Sequence, residues 1–316
     1  MLGIDDIRRA RERIADTLAA TPMVTDLGLS DLLARPVRLK GELFQRTGSF
    51  KPRGGLNWLR TATADELSHG LGAVSAGNHA LGLAWAAREA QVDVTIVMPR
   101  DASEFKVAGC RELGAEVILH GDINDAWQYM HHLVDERGLT LVHPYDDPRI
   151  MAGQGTVGLE ILDQAPHASS VVCPIGGGGL IAGIATAMRT LRPDIRIVGV
   201  EPEGAASMGA AWAQGGPHRL KRIETCAKSL GAAIVGKHTY PLCRRLVDVL
   251  VTVSEDGIQR AMRHLLTQAK LHAEPGAAVG VAALLENRLP ALPEDGDIVI
   301  VITGGNMSRD ELLQFL

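Results

Sequence analysis

Three short stretches of the 316-residue chain hold residue types suited to chemistry. In Thr47-Gly48-Ser49-Phe50-Lys51-Pro52-Arg53-Gly54-Gly55, a lysine stands beside an aromatic and between glycines. Lys51 precedes a proline, which biases it away from helical φ/ψ and puts it at a loop-to-helix junction. A lone lysine is ordinarily a solvated side chain. No amphipathic pattern explains this one, and a lysine made reactive by desolvation can form a Schiff base with a carbonyl. The second stretch, Ser75-Ala76-Gly77-Asn78-His79, follows a β-rich run and opens a helical one. Its small residues and helix-terminal amides suit a carboxylate, with Asn78 as a further donor. Taken alone, the stretch is better explained as an ordinary helix cap, and His79 as a structural histidine.

The third stretch is Gly176-Gly177-Gly178-Gly179, with Leu180 opening the helix that follows the apolar run Ser170–Ile175. Four glycines let backbone N–H groups converge, and the helix N-terminus adds its positive dipole end, which makes a cradle for a phosphate. A nucleotide P-loop is not supported, because G-x-x-x-x-G-K-S/T is absent. Gly177, Gly179 and Ala182 also satisfy G-x-G-x-x-G/A, and Glu201 ends the next strand, where a ribose-binding acid would sit. On this segment alone, a nicotinamide-dependent oxidoreductase stays open. The three loops together describe a ligand with a phosphate at one end, a carboxylate nearby and an aldehyde within reach of lysine. Pyridoxal phosphate joined to an amino acid meets that description. A nicotinamide enzyme would leave Lys51 and the Asn78 loop without a role.

The elements around these loops alternate. Strands are expected at Val37–Glu42, Gly72–Ser75, Val92–Met98, Glu116–Leu119, Thr140–Val142, Ser170–Pro174, Arg196–Val200, Val247–Val253 and Asp297–Thr303. Helical i, i+3, i+4 patterns occupy Ile4–Ala19, His79–Ala90, Glu104–Leu113, Asn124–Glu136, Leu180–Leu191 and Glu255–Leu271. Strands joined by helical crossovers imply an α/β fold of two open, mostly parallel twisted sheets. The stretch Gln214–His238 reads as irregular.

Composition narrows the function classes. With 32 Lys+Arg against 37 Asp+Glu the net charge is −5, which gives no electrostatic footprint for nucleic acid or an anionic membrane. Hydrophobic residues are 46% and charged residues 22%, as in a folded globular chain. Glycine is 35 of 316 and aromatics only 3%, which favours tight β-to-α turns and an aliphatic core over an aromatic-rich sandwich. Cys110, Cys173, Cys226 and Cys243 are too dispersed for a disulfide framework or a zinc site. A charged N-terminus excludes a signal peptide, and the glycine run breaks the uncharged stretch Ala168–Met188, so a cytoplasmic location is expected.

SFKPRG (Ser49–Gly54), SAGNHA (Ser75–Ala80), PIGGGGLIAG (Pro174–Gly183), EPGA (Glu274–Ala277) and TGGN (Thr303–Asn306) occur in this order over nearly the whole chain. Jointly they resemble the threonine/serine dehydratases of the fold type II pyridoxal-phosphate enzymes, whose architecture is similar to the tryptophan synthase β chain. The resemblance implies a small domain at 68–147 inserted into a larger one made of 1–67 and 148–316. It implies that Lys51 carries the cofactor and removes the substrate α-proton, and that Gly176–Gly179 and Leu180 hold the phosphate. Asn78 would bind the pyridine 3′-oxygen, Phe50 would lie against the ring, and Thr303 would hydrogen-bond the pyridine nitrogen. Ser75, Ala76, Gly77, Asn78 and His79 would grip the substrate carboxylate. The implied reaction removes the β-hydroxyl of L-threonine or L-serine as water and yields a 2-keto acid and ammonia.

Departures from the family pattern qualify this reading. Ala76 stands where related serine racemases carry a second base, so racemisation is disfavoured. The family's cation site, a glutamate, a backbone carbonyl and an aspartate, maps to Glu201, Ala205 and Ser207, which speaks against a divalent-metal site, while a monovalent or divalent cation at Glu201 and Ala205 stays open. Lys228 replaces an aspartate common in relatives, and either faces solvent or recruits a substrate with a second acidic group, such as 3-hydroxyaspartate. No regulatory domain is expected after Leu316, and homo-oligomerisation is a family-level expectation.

Overall fold

The structure is a computed structural model and describes residues 2–315. Ten strands run in chain order as β1 (Met23–Thr25), β2 (Val37–Gly41), β3 (Leu71–Val74), β4 (Val94–Met98), β5 (Glu116–Leu119), β6 (Thr140–Leu141), β7 (Ala168–Pro174), β8 (Arg196–Pro202), β9 (Val249–Val253) and β10 (Asp297–Ile302). They form a six-stranded sheet in the order β1-β2-β10-β7-β8-β9 and a four-stranded sheet in the order β5-β4-β3-β6. All pairings are parallel except that of the edge strand β1 with β2. The mixed α/β architecture is the expected one, and every strand read from the sequence is present within a few residues. β1 was not anticipated, because three residues are too few to show a period.

Burial explains the strand sequences. Along β10, Val299 and Val301 enter one core, while Ile298, Ile300 and Ile302 enter the other. Alternate residues of a strand point to opposite faces, so a sheet covered on both sides needs an unbroken apolar run. A third core lies against the smaller sheet, and it recruits Ile14, Leu18, Leu56, Trp58, Leu59 and Ile150 from outside 68–147.

The helix Pro148–Gln164 was absent from the periodicity reading because its glycines obscure the apolar stripe. Those glycines serve packing against the helix Gly179–Leu191: a Cβ on Gly183 would lie 2.4 Å from the Met151 carbonyl oxygen, and one on Gly155 3.0 Å from that of Gly183. The first helix spans Ile4–Ile14, shorter than expected. Gln214–His238 is largely irregular, with one short turn at Lys228–Leu230.

Both strand orders reverse direction once. In the large sheet β8 and β9 extend to one side of β7, whereas β10 lies on the other; in the small sheet β4 and β5 lie to one side of β3 and β6 to the other. Such switch points leave a crevice at the carboxyl ends of the strands, where ligands of open α/β sheets bind. The loops leaving β7, β10, β3 and β6 carry Gly176–Gly179, Thr303–Asn306, Ser75–Asn78 and His143–Asp146 respectively.

Candidate active site

Lys51 opens the helix Lys51–Leu59, with Pro52 in its first turn, as the sequence implied. Its Nζ donates to the Pro144 carbonyl at 2.8 Å and lies 5.2 Å from the centre of the Phe50 ring. The lysine stem is pressed against the helix Asn78–Ala90, where a Cβ on Gly82 would come 2.8 Å from the Lys51 Cβ. Burial lowers the amine to about 8, partly opposed by the negative field of Glu274. At that value a useful fraction is a neutral base near physiological pH.

The glycine loop is built to exclude side chains. A Cβ on Gly177 would sit 2.3 Å from the Tyr145 ring, one on Gly179 2.8 Å from the Tyr145 carbonyl oxygen, and one on Gly176 3.1 Å from the Leu230 Cα. Gly178 has a φ of 92°, a conformation glycine adopts without strain. The first helical bond of the segment runs from the Ala182 N–H to Gly178, so the amides of Gly179, Leu180 and Ile181 have no acceptor within the helix. A bare cradle with free amides fits a phosphate group.

Across the crevice, Ser75, Ala76 and Gly77 are half-buried, and a Cβ on Gly77 would meet nothing within 4 Å. The first helical bond here runs from the Leu81 N–H to Gly77, so the amides of Asn78, His79 and Ala80 have no acceptor within the helix. Asn78 is buried, and its Nδ2 donates to Glu274 Oε1 at 2.7 Å. The His79 imidazole turns away from the opening: its Nε2 donates to the Val142 carbonyl at 3.1 Å, and burial, reinforced by the charge of Lys51, depresses it to about 3. His79 thus offers the crevice a backbone N–H and no ring. Thr303 is buried at the end of β10, and its carbonyl accepts from the Phe50 N–H at 3.2 Å. Ser49 Oγ, one residue earlier, is buried without a protein partner.

At the position that the resemblance maps to a cation, Glu201 is already hydrogen-bonded. Both Glu201 oxygens accept backbone amides, from Met208 at 2.7 Å and Gly209 at 2.8 Å, and burial raises the carboxyl to about 7. Among the described residues, no group of three His, Cys, Asp or Glu could hold a metal. The same bonds leave Glu201 unsuited to a ribose. Lys228 is exposed, while its neighbour Leu230 backs the glycine loop. The four cysteines are free, and among the described residues no helix is long and apolar enough to cross a membrane.

Some positioning groups escaped sequence reasoning. Arg53, almost fully buried, donates to Glu42 at 2.7 and 2.9 Å and to Glu160 at 2.9 Å, while Lys40 donates to Glu160 at 2.6 Å. This cluster clamps the helix that begins with Lys51. Its signal in the sequence was the pair of charges Lys40 and Glu42 on either side of Gly41, at the end of an expected strand. The His143 ring, with Nδ1 accepting from the Asp146 N–H at 2.9 Å, orders the turn that supplies the Pro144 carbonyl.

A family model described as pyridoxal-phosphate dependent enzyme matches residues 14–304. The chain is 39% identical over 308 residues to the L-threonine ammonia-lyase of Thermotoga maritima, covering 97% of this chain and 76% of that protein. It is 39% identical over 314 residues to the catabolic L-threonine dehydratase TdcB of Escherichia coli, covering 99% and 95%. Among solved structures, maize serine racemase superposes with a TM-score of 0.94 at 34% identity, covering 99% of this chain and 96% of that one.

Proposed function

The chain belongs to the pyridoxal-phosphate dependent enzyme family, and from that premise we propose that it is an ammonia-lyase that dehydrates L-threonine or L-serine. One observation carries the reading: a buried lysine amine lowered to about 8 lies in the same crevice as a side-chain-free anion cradle and an open helix N-terminus. The names and identities of the relatives support the substrate class.

When bound, pyridoxal phosphate supplies the electron sink that makes an amino acid's α-proton acidic and lets its β-hydroxyl leave. The chain's own residues supply orientation and proton transfer. Amides of Gly176–Gly179 and Leu180 would hold the phosphate, Phe50 would border the ring, and Asn78 and Thr303 would offer donors to the 3′-oxygen and the pyridine nitrogen. The segment Ser75 to His79 would take the substrate carboxylate, with the N–H groups of Asn78 and His79 free at the helix start. Lys51 Nζ would anchor the cofactor aldehyde and, once released, would take the α-proton, a task suited to an amine that titrates near 8. The β-hydroxyl takes up a proton and leaves as one water, and a second water enters on hydrolysis, giving a 2-keto acid and ammonia. Residues 68–147 as an inserted domain, a homo-oligomeric assembly and a cytoplasmic location belong to the same proposal.

The test is the purified protein's near-visible absorption, its bleaching by borohydride, and keto-acid release from threonine, serine and 3-hydroxyaspartate. Turnover of threonine or serine with a borohydride-sensitive chromophore is expected. A protein without that chromophore, binding NADH instead, would overturn the assignment.

A further inference from the structure

The segment leading to Lys51 holds a backbone conformation that the reaction scheme does not explain. Thr47 has a φ of 57° and Gly48 one of 70°, two successive residues in the left-handed region. A β-branched residue there is strained. Thr47 Oγ1 is buried without a partner, so its side chain gives nothing back. What the turn achieves is to aim the Thr47 carbonyl at Asn306, whose Nδ2 donates to it at 2.6 Å and to Asn78 Oδ1 at 2.8 Å. A Cβ on Gly48 would lie 2.5 Å from Asn306 Oδ1, which leaves room there for glycine only.

Donor counting then orients Asn78. A backbone carbonyl only accepts, so the nitrogen of the Asn306 amide must face Thr47, and its second hydrogen goes to the Asn78 oxygen. That places Asn78 Nδ2 on the opposite side, where one of its two hydrogens goes to Glu274 Oε1. The other hydrogen meets no further protein acceptor among the described residues. We propose that Asn306 is a positioning residue, which locks the Asn78 amide so that its free N–H, rather than its oxygen, meets the 3′-oxygen of the cofactor. The inference rests on the reading given under Proposed function. With the amide turned over, two electron-rich oxygens would face each other.

The experiment compares cofactor affinity and absorption in the wild type, Asn306→Asp, Asn306→Ala, Asn78→Ala and the Asn78→Ala/Asn306→Ala double variant. Asn306→Asp sets an acceptor against the Thr47 carbonyl and the Asn78 oxygen. The cofactor dissociation constant then rises by about tenfold or more, the cost of one charge-assisted hydrogen bond, and visible absorption passes to the near-ultraviolet band. Asn306→Ala, which introduces no charge, gives the same change to a smaller extent and serves if the aspartate variant fails to fold. In the Asn78→Ala background, Asn306→Ala adds less than about twofold, because its effect runs through Asn78. Unchanged affinity and spectrum in both Asn306 variants, or losses that add in full to those of Asn78→Ala, would refute the inference while leaving the ammonia-lyase reading intact. A wild type without a borohydride-sensitive chromophore would instead remove that reading.

Discussion

Substituting Gly177 by alanine tests whether the glycine run is a cradle shaped by its surroundings or only a flexible turn. The new Cβ would lie 2.3–2.4 Å from three atoms of the Tyr145 ring, well inside van der Waals contact. The ring cannot retreat freely: its hydroxyl donates to the Ile234 carbonyl at 2.7 Å, and it stands edge-on to His143 with centroids 4.6 Å apart. Either the tyrosine swings and gives up its hydrogen bond, or the loop moves and its amides leave the phosphate position. Overpacking costs about 1–3 kcal/mol, and a lost hydrogen bond about 1 kcal/mol more. At 1.4 kcal/mol per decade, the cofactor dissociation constant should rise by roughly 30- to 700-fold. The assay is titration of apoprotein with pyridoxal phosphate, followed by absorption. Removing the ring should relieve the clash, so Gly177→Ala/Tyr145→Ala should bind within about threefold of Tyr145→Ala alone. Wild-type affinity in Gly177→Ala, or a loss undiminished in the Tyr145→Ala background, would refute the steric argument.

Other expectations follow from the same geometry. Lys51→Ala should lose both the borohydride-sensitive absorption and keto-acid release; a fully active variant would end the assignment. Arg53→Met leaves Glu42 and Glu160 buried beside a single remaining cation, Lys40, and should cost about 3–5 kcal/mol in a denaturant melt; a loss below about 1 kcal/mol would show that the cluster is not a clamp. Because burial lowers Lys51 to about 8, its neutral form grows as pH rises through that value, so imine formation by the apoprotein with phosphate-free pyridoxal should have its midpoint near pH 8. A midpoint above pH 10 would contradict this. The same lowering makes the apoprotein gain stability between about pH 8 and 10.5, where the unfolded chain binds a proton that the folded chain has released. Since the Glu201 oxygens are taken by amides, dialysis against a chelator should leave turnover and melting temperature unchanged; a loss restored by magnesium would disprove it.

The alternating architecture, the side-chain-free glycine loop at a helix start, and Lys51 at another were all legible in the sequence, because each depends on local properties. These are the two-residue and 3.6-residue periods, the freedom of consecutive glycines, and the restraint proline puts on the residue before it. Tertiary structure alone decided the rest, because those effects join residues far apart in the chain. It turned the His79 ring onto Val142 and committed Glu201 to the amides of Met208 and Gly209. It also gathered Lys40, Glu42, Arg53 and Glu160 into one buried cluster beneath the reactive lysine. The lowered amine of Lys51 is the plainest case. Its residue type made it a candidate nucleophile, but only the walls brought to it by the helix Asn78–Ala90 and the His143–Asp146 turn remove the water that would otherwise keep it charged.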